Sequence, residues 1–320
     1  MRKQINISIA VIAILFYSSC EDIFEEDITN DQITIISPVN DAVIEGNTVQ
    51  FLWNTAEGVS QYTVQVYDGS FLVLDTLVES PPFTNVFSSN DYQWRIKGEN
   101  DAYETPYTFP TNFTVVSSSN LENQNVVLNS PSDNLYTNNT SILCTWSAIE
   151  TATSYDFELR KASNAGDETI FVMNDLTETS LSLDGSVLTE DAEYSWFVKA
   201  KNESSETSFF SRTFFLDTTV PNTPSLINPI FEEEFELIDM VDFTWNFGTD
   251  PGNIASEITS LFEISATLDF TTIIESREQL ATTASYLFST AGTYYWRVQG
   301  TDAAGNVGDF NVTGKLIVNE

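Results

Sequence analysis

The sequence predicts an all-β protein of three tandem antiparallel β-sandwiches, and three observations predict it. First, one skeleton recurs three times: "SPVNDAVIEGNTVQFLW", "SPSDNLYTNNTSILCTW" and "NPIFEEEFELIDMVDFTW" each run from a proline (Pro38, Pro131, Pro229) to a tryptophan (Trp53, Trp146, Trp245). These tryptophans lie 93 and 99 residues apart, the length of a small sandwich. Second, each repeat closes on a second signature, "YQWRIKGEND", "YSWFVKAKNE" and "YYWRVQGTDA". There Tyr92, Trp94 and Ile96 alternate with Gln93, Arg95 and Lys97, the period of a strand with one buried face. Third, runs of this kind are bounded by Asn, Asp, Gly and Pro, and no long stretch keeps helical spacing.

The elements follow in chain order. Arg2 and Lys3 precede a 13-residue segment from Ile5 to Tyr17 that only Asn6 and Ser8 interrupt. This run is short of the ~20 apolar residues of a spanning helix and has the layout of a secretory signal. Small Ser18 and Ser19 follow, then Cys20, then five acids within residues 21–27. The divisions expected are a signal peptide (1–19), an acidic tether (20–36), sandwiches at 37–117, 126–217 and 218–320, and a linker at 118–125. Within the third repeat, the acidic run "EEEFE" at 232–236 reads as a solvated loop at the far pole.

Charge excludes one class of partner. Lys and Arg total 12 against 47 Asp and Glu, and phosphate binding needs clustered cations, so nucleic acid is not expected. The absence of histidine removes Ser-His-Asp and Cys-His nucleophilic systems and the usual histidine-bearing zinc sites. No phosphate loop, dinucleotide fingerprint or Cys-x-x-Cys occurs. No enzyme is expected. Cys144 lies two residues before Trp146 on the same strand face, and the late strand "EYSWFVKAKN" offers it no partner, so it reads as a buried free thiol.

Three resemblances attach to these residues. The segment ending in Cys20 resembles the lipobox of bacterial lipoproteins, with Tyr17 where leucine is usual. That resemblance implies a lipid on Cys20, which becomes the first mature residue. The acids behind it resemble the export signal of Bacteroidetes surface lipoproteins, which implies a lipid-anchored position on the outer membrane facing the exterior. Trp53 to Tyr62 and Trp146 to Tyr155, nine residues each, with the late Tyr-x-Trp-x-Val/Ile-x-Ala/Gly, resemble fibronectin type III domains, with immunoglobulin-like sandwiches the near alternative. In that fold Tyr92, Tyr194 and Tyr294 occupy the tyrosine-corner position.

Few residues suggest a site. The stretch from Trp245 to Phe262 is eight residues longer than its counterparts, and the loops "NFGTDPGNIASEITS" and "TDAAGNVGD" face the same pole as the linker "LDTTVPNTP". Asp217, Asp250 and Asp302 are thereby expected to gather, and hard cations such as calcium favour oxygen clusters, although turns also demand aspartate. Tyr103 and Tyr107 after the first late strand are candidate ligand-stacking aromatics. "DTL" at 75–77 and "DTT" at 217–219 resemble Bacteroidetes O-glycosylation acceptors, with Thr76 and Thr218 carrying the sugar. The function expected is a non-catalytic surface lipoprotein, a binding, adhesion or structural stalk module for protein or glycan partners. The alternative is an accessory carbohydrate-binding subunit of an outer-membrane glycan-uptake system.

Overall fold

The computed structural model describes residues 25–320, so the signal peptide and Cys20 lie outside the described residues. Among the described residues every helix or strand element is a strand, and the 24 strands form three sandwiches. The first comprises β1 (Ile35–Ser37), β2 (Ala42–Glu45), β3 (Thr48–Trp53), β4 (Gln61–Asp68), β5 (Phe71–Val78), β6 (Phe83–Val86), β7 (Asn90–Glu99) and β8 (Thr111–Val116). The second comprises β9 (Leu128–Ser130), β10 (Leu135–Thr137), β11 (Ile142–Trp146), β12 (Ser154–Lys161), β13 (Glu168–Leu176), β14 (Ser180–Leu183), β15 (Ala192–Lys201) and β16 (Phe210–Leu216). The third comprises β17 (Ser225–Asn228), β18 (Glu233–Glu236), β19 (Met240–Asn246), β20 (Thr259–Ser265), β21 (Ile273–Gln279), β22 (Thr283–Leu287), β23 (Gly292–Thr301) and β24 (Gly314–Asn319).

Each sandwich pairs a three-stranded sheet with a five-stranded one. In the first sandwich the orders are β1-β3-β6 and β2-β8-β7-β4-β5, and the other two repeat this pattern. An immunoglobulin constant domain divides its strands four and three. Here the strand after β4 stays in the larger sheet and no fourth strand joins the smaller one, the fibronectin type III arrangement. The chain divides into two compact units: residues 25–42, 50–84 and 91–114 in one, and 43–49, 85–90 and 115–320 in the other. The second and third sandwiches therefore belong to one unit.

Alternation dictates the cores. In β15 the inward residues Tyr194, Trp196, Val198 and Ala200 are all buried, and Phe157 stacks on Trp196 with ring centroids 6.1 Å apart. Trp94 and Trp296 occupy the same place in their sandwiches, each fully buried. Two of the tyrosine corners are seen directly: Tyr194 donates its hydroxyl to Glu190 O and Tyr294 to Thr290 O, both at 2.8 Å. Within the span read as a tether, Ile28 and Ile33 are buried and β1 starts at Ile35.

One expectation is corrected. The run 232–236 is not a loop: Glu233–Glu236 forms β18, paired in parallel with β24 through Glu233↔Leu316 and Phe235↔Val318. Phe235 turns toward the core while Glu234 and Glu236 alternate outward, so the acids occupy the wet face of an edge strand. β10 pairs with β16 in the same parallel sense, so these two five-stranded sheets are mixed.

Charge is distributed unevenly between the sheets. All ten lysines and arginines of the described residues lie on strands of the five-stranded sheets. The nine strands of the three-stranded sheets carry one charged side chain, Asp242. The cations are engaged: Lys201 and Lys199 bridge to Asp156, Arg297 bridges to Glu263 at 2.7 Å, and Arg160 lies 4.1 Å from the Phe197 ring centroid.

Cys144 on β11 is fully buried and free, and burial pushes its thiol up to about 12. Since the thiolate is the reactive form, Cys144 is expected to resist a thiol reagent at pH 8 in the folded protein and to react at once in denaturant. Rapid labelling of the folded chain at this residue would contradict the packing.

Candidate metal centre

A single device recurs at the entry pole of every sandwich. The strands β7, β15 and β23 each end in a turn closed by an isolated bridge: Glu99↔Glu104, Lys201↔Glu206 and Thr301↔Val307. The first residue of that turn is Asn100, Asn202 and Asp302 respectively. Asn100 donates its amide to Glu26 O on the entering segment and to Gly58 O on the β3–β4 loop, both at 2.9 Å. Its Oδ1 accepts from the Ala102 and Tyr103 amides of its own turn. Asn202 does the same, donating to Ser119 O at 2.8 Å and Thr151 O at 3.2 Å and accepting from Ser204 and Ser205. One side-chain amide thus joins the incoming chain, one loop and one turn.

The third sandwich breaks this pattern. Asp302 has no amide hydrogens, and the groups facing it are carboxylates from the equivalent two segments. Asp217 lies on the entering segment directly after β16, and Asp250 lies in the lengthened β19–β20 connection. Each of the three residues offers a carboxylate oxygen, and these oxygens lie within 4.8 Å of one another. The surrounding bonds hold them in place. The Asp217 amide donates to Thr137 O at 3.0 Å, Asp217 Oδ1 accepts from the Thr219 amide at 3.0 Å, and the Asp250 Oδ2 accepts from the Ser256 amide at 2.6 Å. Asp302 Oδ1 accepts from the Asn306 amide at 2.8 Å and Oδ2 from its side-chain Nδ2 at 2.9 Å. Asn306 Nδ2 also donates to Asp217 O at 2.8 Å, in a turn where Gly305 adopts a φ of +88°.

Two oxygens are left over. Asp217 Oδ2 and Asp250 Oδ1 are both buried with no hydrogen-bond partner, and Asp217 as a whole is 0% exposed. Asp302 is buried and Asp250 half-buried. Burial holds the Asp217 carboxyl above its ordinary value; the Thr219 amide opposes this, and the charges of Asp250, Asp302 and Asp191 reinforce it. No ion pair among the described residues reaches the three acids. All ligand atoms on offer are oxygens, a set that suits a hard divalent cation rather than zinc or copper.

No protein-family model matches the sequence, and no curated protein matches it. Among solved structures, the chain resembles the FN1–FN3 domains of chicken CNTN1 at 12% identity, over 90% of this chain and 98% of that one, with a TM-score of 0.46. It also resembles fibronectin(III)-like modules of Clostridium thermocellum CbhA at 16% identity, over 58% of this chain and 94% of that one, with a TM-score of 0.23.

The remaining candidates fall in separate places. Tyr103 is at the turn tip after β7 with its ring exposed, whereas Tyr107 lies under Arg95, whose guanidinium is 4.2 Å from the ring centroid. Lys97 approaches the same ring at 5.4 Å, so Tyr107 belongs to an internal cation–aromatic stack. Thr76 is half-buried on the edge strand β5. Thr218 is exposed, and its hydroxyl donates to Asp191 Oδ1 at 2.8 Å. Sequence reasoning placed the three aspartates but missed the asparagine device. Its signal was present in the ninth position of the late signatures, which reads Asn, Asn, Asp.

Proposed function

We propose that the chain is a non-catalytic, lipid-anchored lipoprotein of the outer membrane whose tandem fibronectin type III-like sandwiches serve as a binding, adhesion or structural stalk module. The observation that supports this best is the threefold joint at the sandwich poles. A pull from an N-terminal anchor would enter each sandwich through the segment at that pole, where Asn100, Asn202 or Asp302 meets it. The nearest alternative is a glycan-binding accessory subunit, favoured by Phe109, which follows Tyr103 in the β7–β8 connection and is 94% exposed.

The anchor is tested by Cys20→Ala. The variant is expected to move from the membrane fraction to the soluble fraction, because a single thioether-linked lipid would be its only attachment. Unchanged fractionation would refute lipidation at Cys20. Loss of polysaccharide binding on Phe109→Ala, with the fold intact, would favour the alternative.

A further inference from the structure

We propose that Asp217, Asp250 and Asp302 form a calcium site that takes the place of the asparagine joint at the entry of the third sandwich. The inference goes beyond the surface-module reading and does not depend on it. The repeats themselves supply the argument. In the first two sandwiches, two acceptors (a carbonyl on the entering segment and one on the β3–β4 or equivalent loop) converge on the two hydrogens of one amide. In the third, the central residue is a carboxylate, and the two segments present carboxylates as well. The Asn306 side-chain amide supplies a donor to Asp302 Oδ2 and to Asp217 O, but none reaches Asp217 Oδ2 or Asp250 Oδ1, and a positive charge between the carboxylates would complete the joint.

The leftover oxygens indicate where it stands. Asp217 Oδ2 and Asp250 Oδ1 are buried and unpartnered, although each partner oxygen on the same carboxylate is hydrogen-bonded. A buried carboxylate oxygen without a partner loses its hydration and gains nothing in exchange, and two beside a third acid compound that cost by repulsion. A bound cation reverses the sign of both terms. Among the hard cations calcium fits best: it accepts irregular shells of carboxylate and carbonyl oxygens, whereas magnesium demands near-octahedral geometry and retains most of its water. The ion would tie the linker after β16 to the β19–β20 loop and to the turn after β23, three segments also joined by Asn306, Ser256 and the Asn222–Thr249 pair.

The test uses the full-length chain with calcium chloride alone as the probe, at 0.15 M salt. Calorimetric titration is expected to give one saturable site, and the melting transition of the third sandwich should rise by about 4 °C or more over that in chelator. Asp302→Asn restores the residue of the first two joints. It is expected to melt at or above the parent in chelator, because it removes one of three facing charges, and to show no calcium shift. Glu203→Gln, an exposed acid elsewhere, should keep the full shift. Equal melting of the parent in calcium and chelator overturns the site. So does a calcium shift that survives Asp302→Asn, which would mean diffuse counterion binding by an acidic chain. Should Asp302→Asn fail to fold, Asp250→Asn replaces it with the same two expectations.

Discussion

Replacing Trp196 by alanine is expected to destabilise the second sandwich by about 3–5 kcal/mol. The side chain is fully buried at the centre of β15, where it stacks on Phe157 and shares a core with Tyr194, Leu159 and Phe214. Truncation leaves a hole that two stiff sheets cannot close, so the cavity cost adds to the lost transfer energy. The indole nitrogen has no partner, so no hydrogen bond is lost to offset or enlarge the effect. Domain stabilities run to only ~5–15 kcal/mol, so a loss of this size places the second sandwich near its folding threshold. A three-sandwich chain does not unfold in one step, and a local reporter is needed. Cys144 supplies it, because it lies in the same core and, in a Cys20→Ala background, is the only thiol. Its labelling rate in rising urea reads the opening of that sandwich alone. A midpoint unchanged from the parent would show that Trp196 is not the keystone the packing makes it.

The second large effect is expected from Asn202→Asp, at about 1–3 kcal/mol. The change is isosteric, so packing is preserved and only hydrogen-bond polarity inverts. Thr151 O would lose its donor, Ser119 O would keep only the Ser205 hydroxyl at 3.2 Å, and both would face a negative oxygen instead. Asn202→Ala removes the donor without adding charge and should cost less. The order parent, alanine, aspartate is therefore the readout, measured by the same Cys144 labelling. If aspartate proved as stable as asparagine, the joint would not depend on its amide, and the contrast with Asp302 would lose its physical basis.

Much of this architecture was legible in the sequence because period-two alternation is local. Tyr-x-Trp-x-Val announces a strand with a buried face wherever it stands, and three copies at a fixed spacing announce three sandwiches. The cluster of Asp217, Asp250 and Asp302 was legible for a different reason: an eight-residue lengthening marked one loop as unlike its counterparts. What stayed hidden depends on partners far along the chain. β18 pairs with a strand more than 80 residues later, as Glu233↔Leu316, and its Glu-rich text reads as a loop until that partner is known. The contact of Tyr107 with Arg95, twelve residues earlier, is hidden in the same way, because it forms only through the return of the chain after β7. The asparagine joints went unnoticed because asparagine after a strand is ordinary turn chemistry. Only the carbonyls it meets give it a larger role.

The allocation of charge between the sheets has a consequence for how copies of this protein meet. A chain of net charge -35 should repel its twin in every orientation. Yet nine of its strands, spread over three sheets, carry Asp242 as their one ionised group. These sheets are electrically quiet panels, dressed mainly in threonine, serine, asparagine and leucine, set in an acidic body. Salt screens the other approaches over a Debye length of ~8 Å, so crowding copies together by acid-to-acid contact depends on the medium. Contact panel to panel brings the fewest ionised groups face to face, so it is the orientation in which two copies repel each other least.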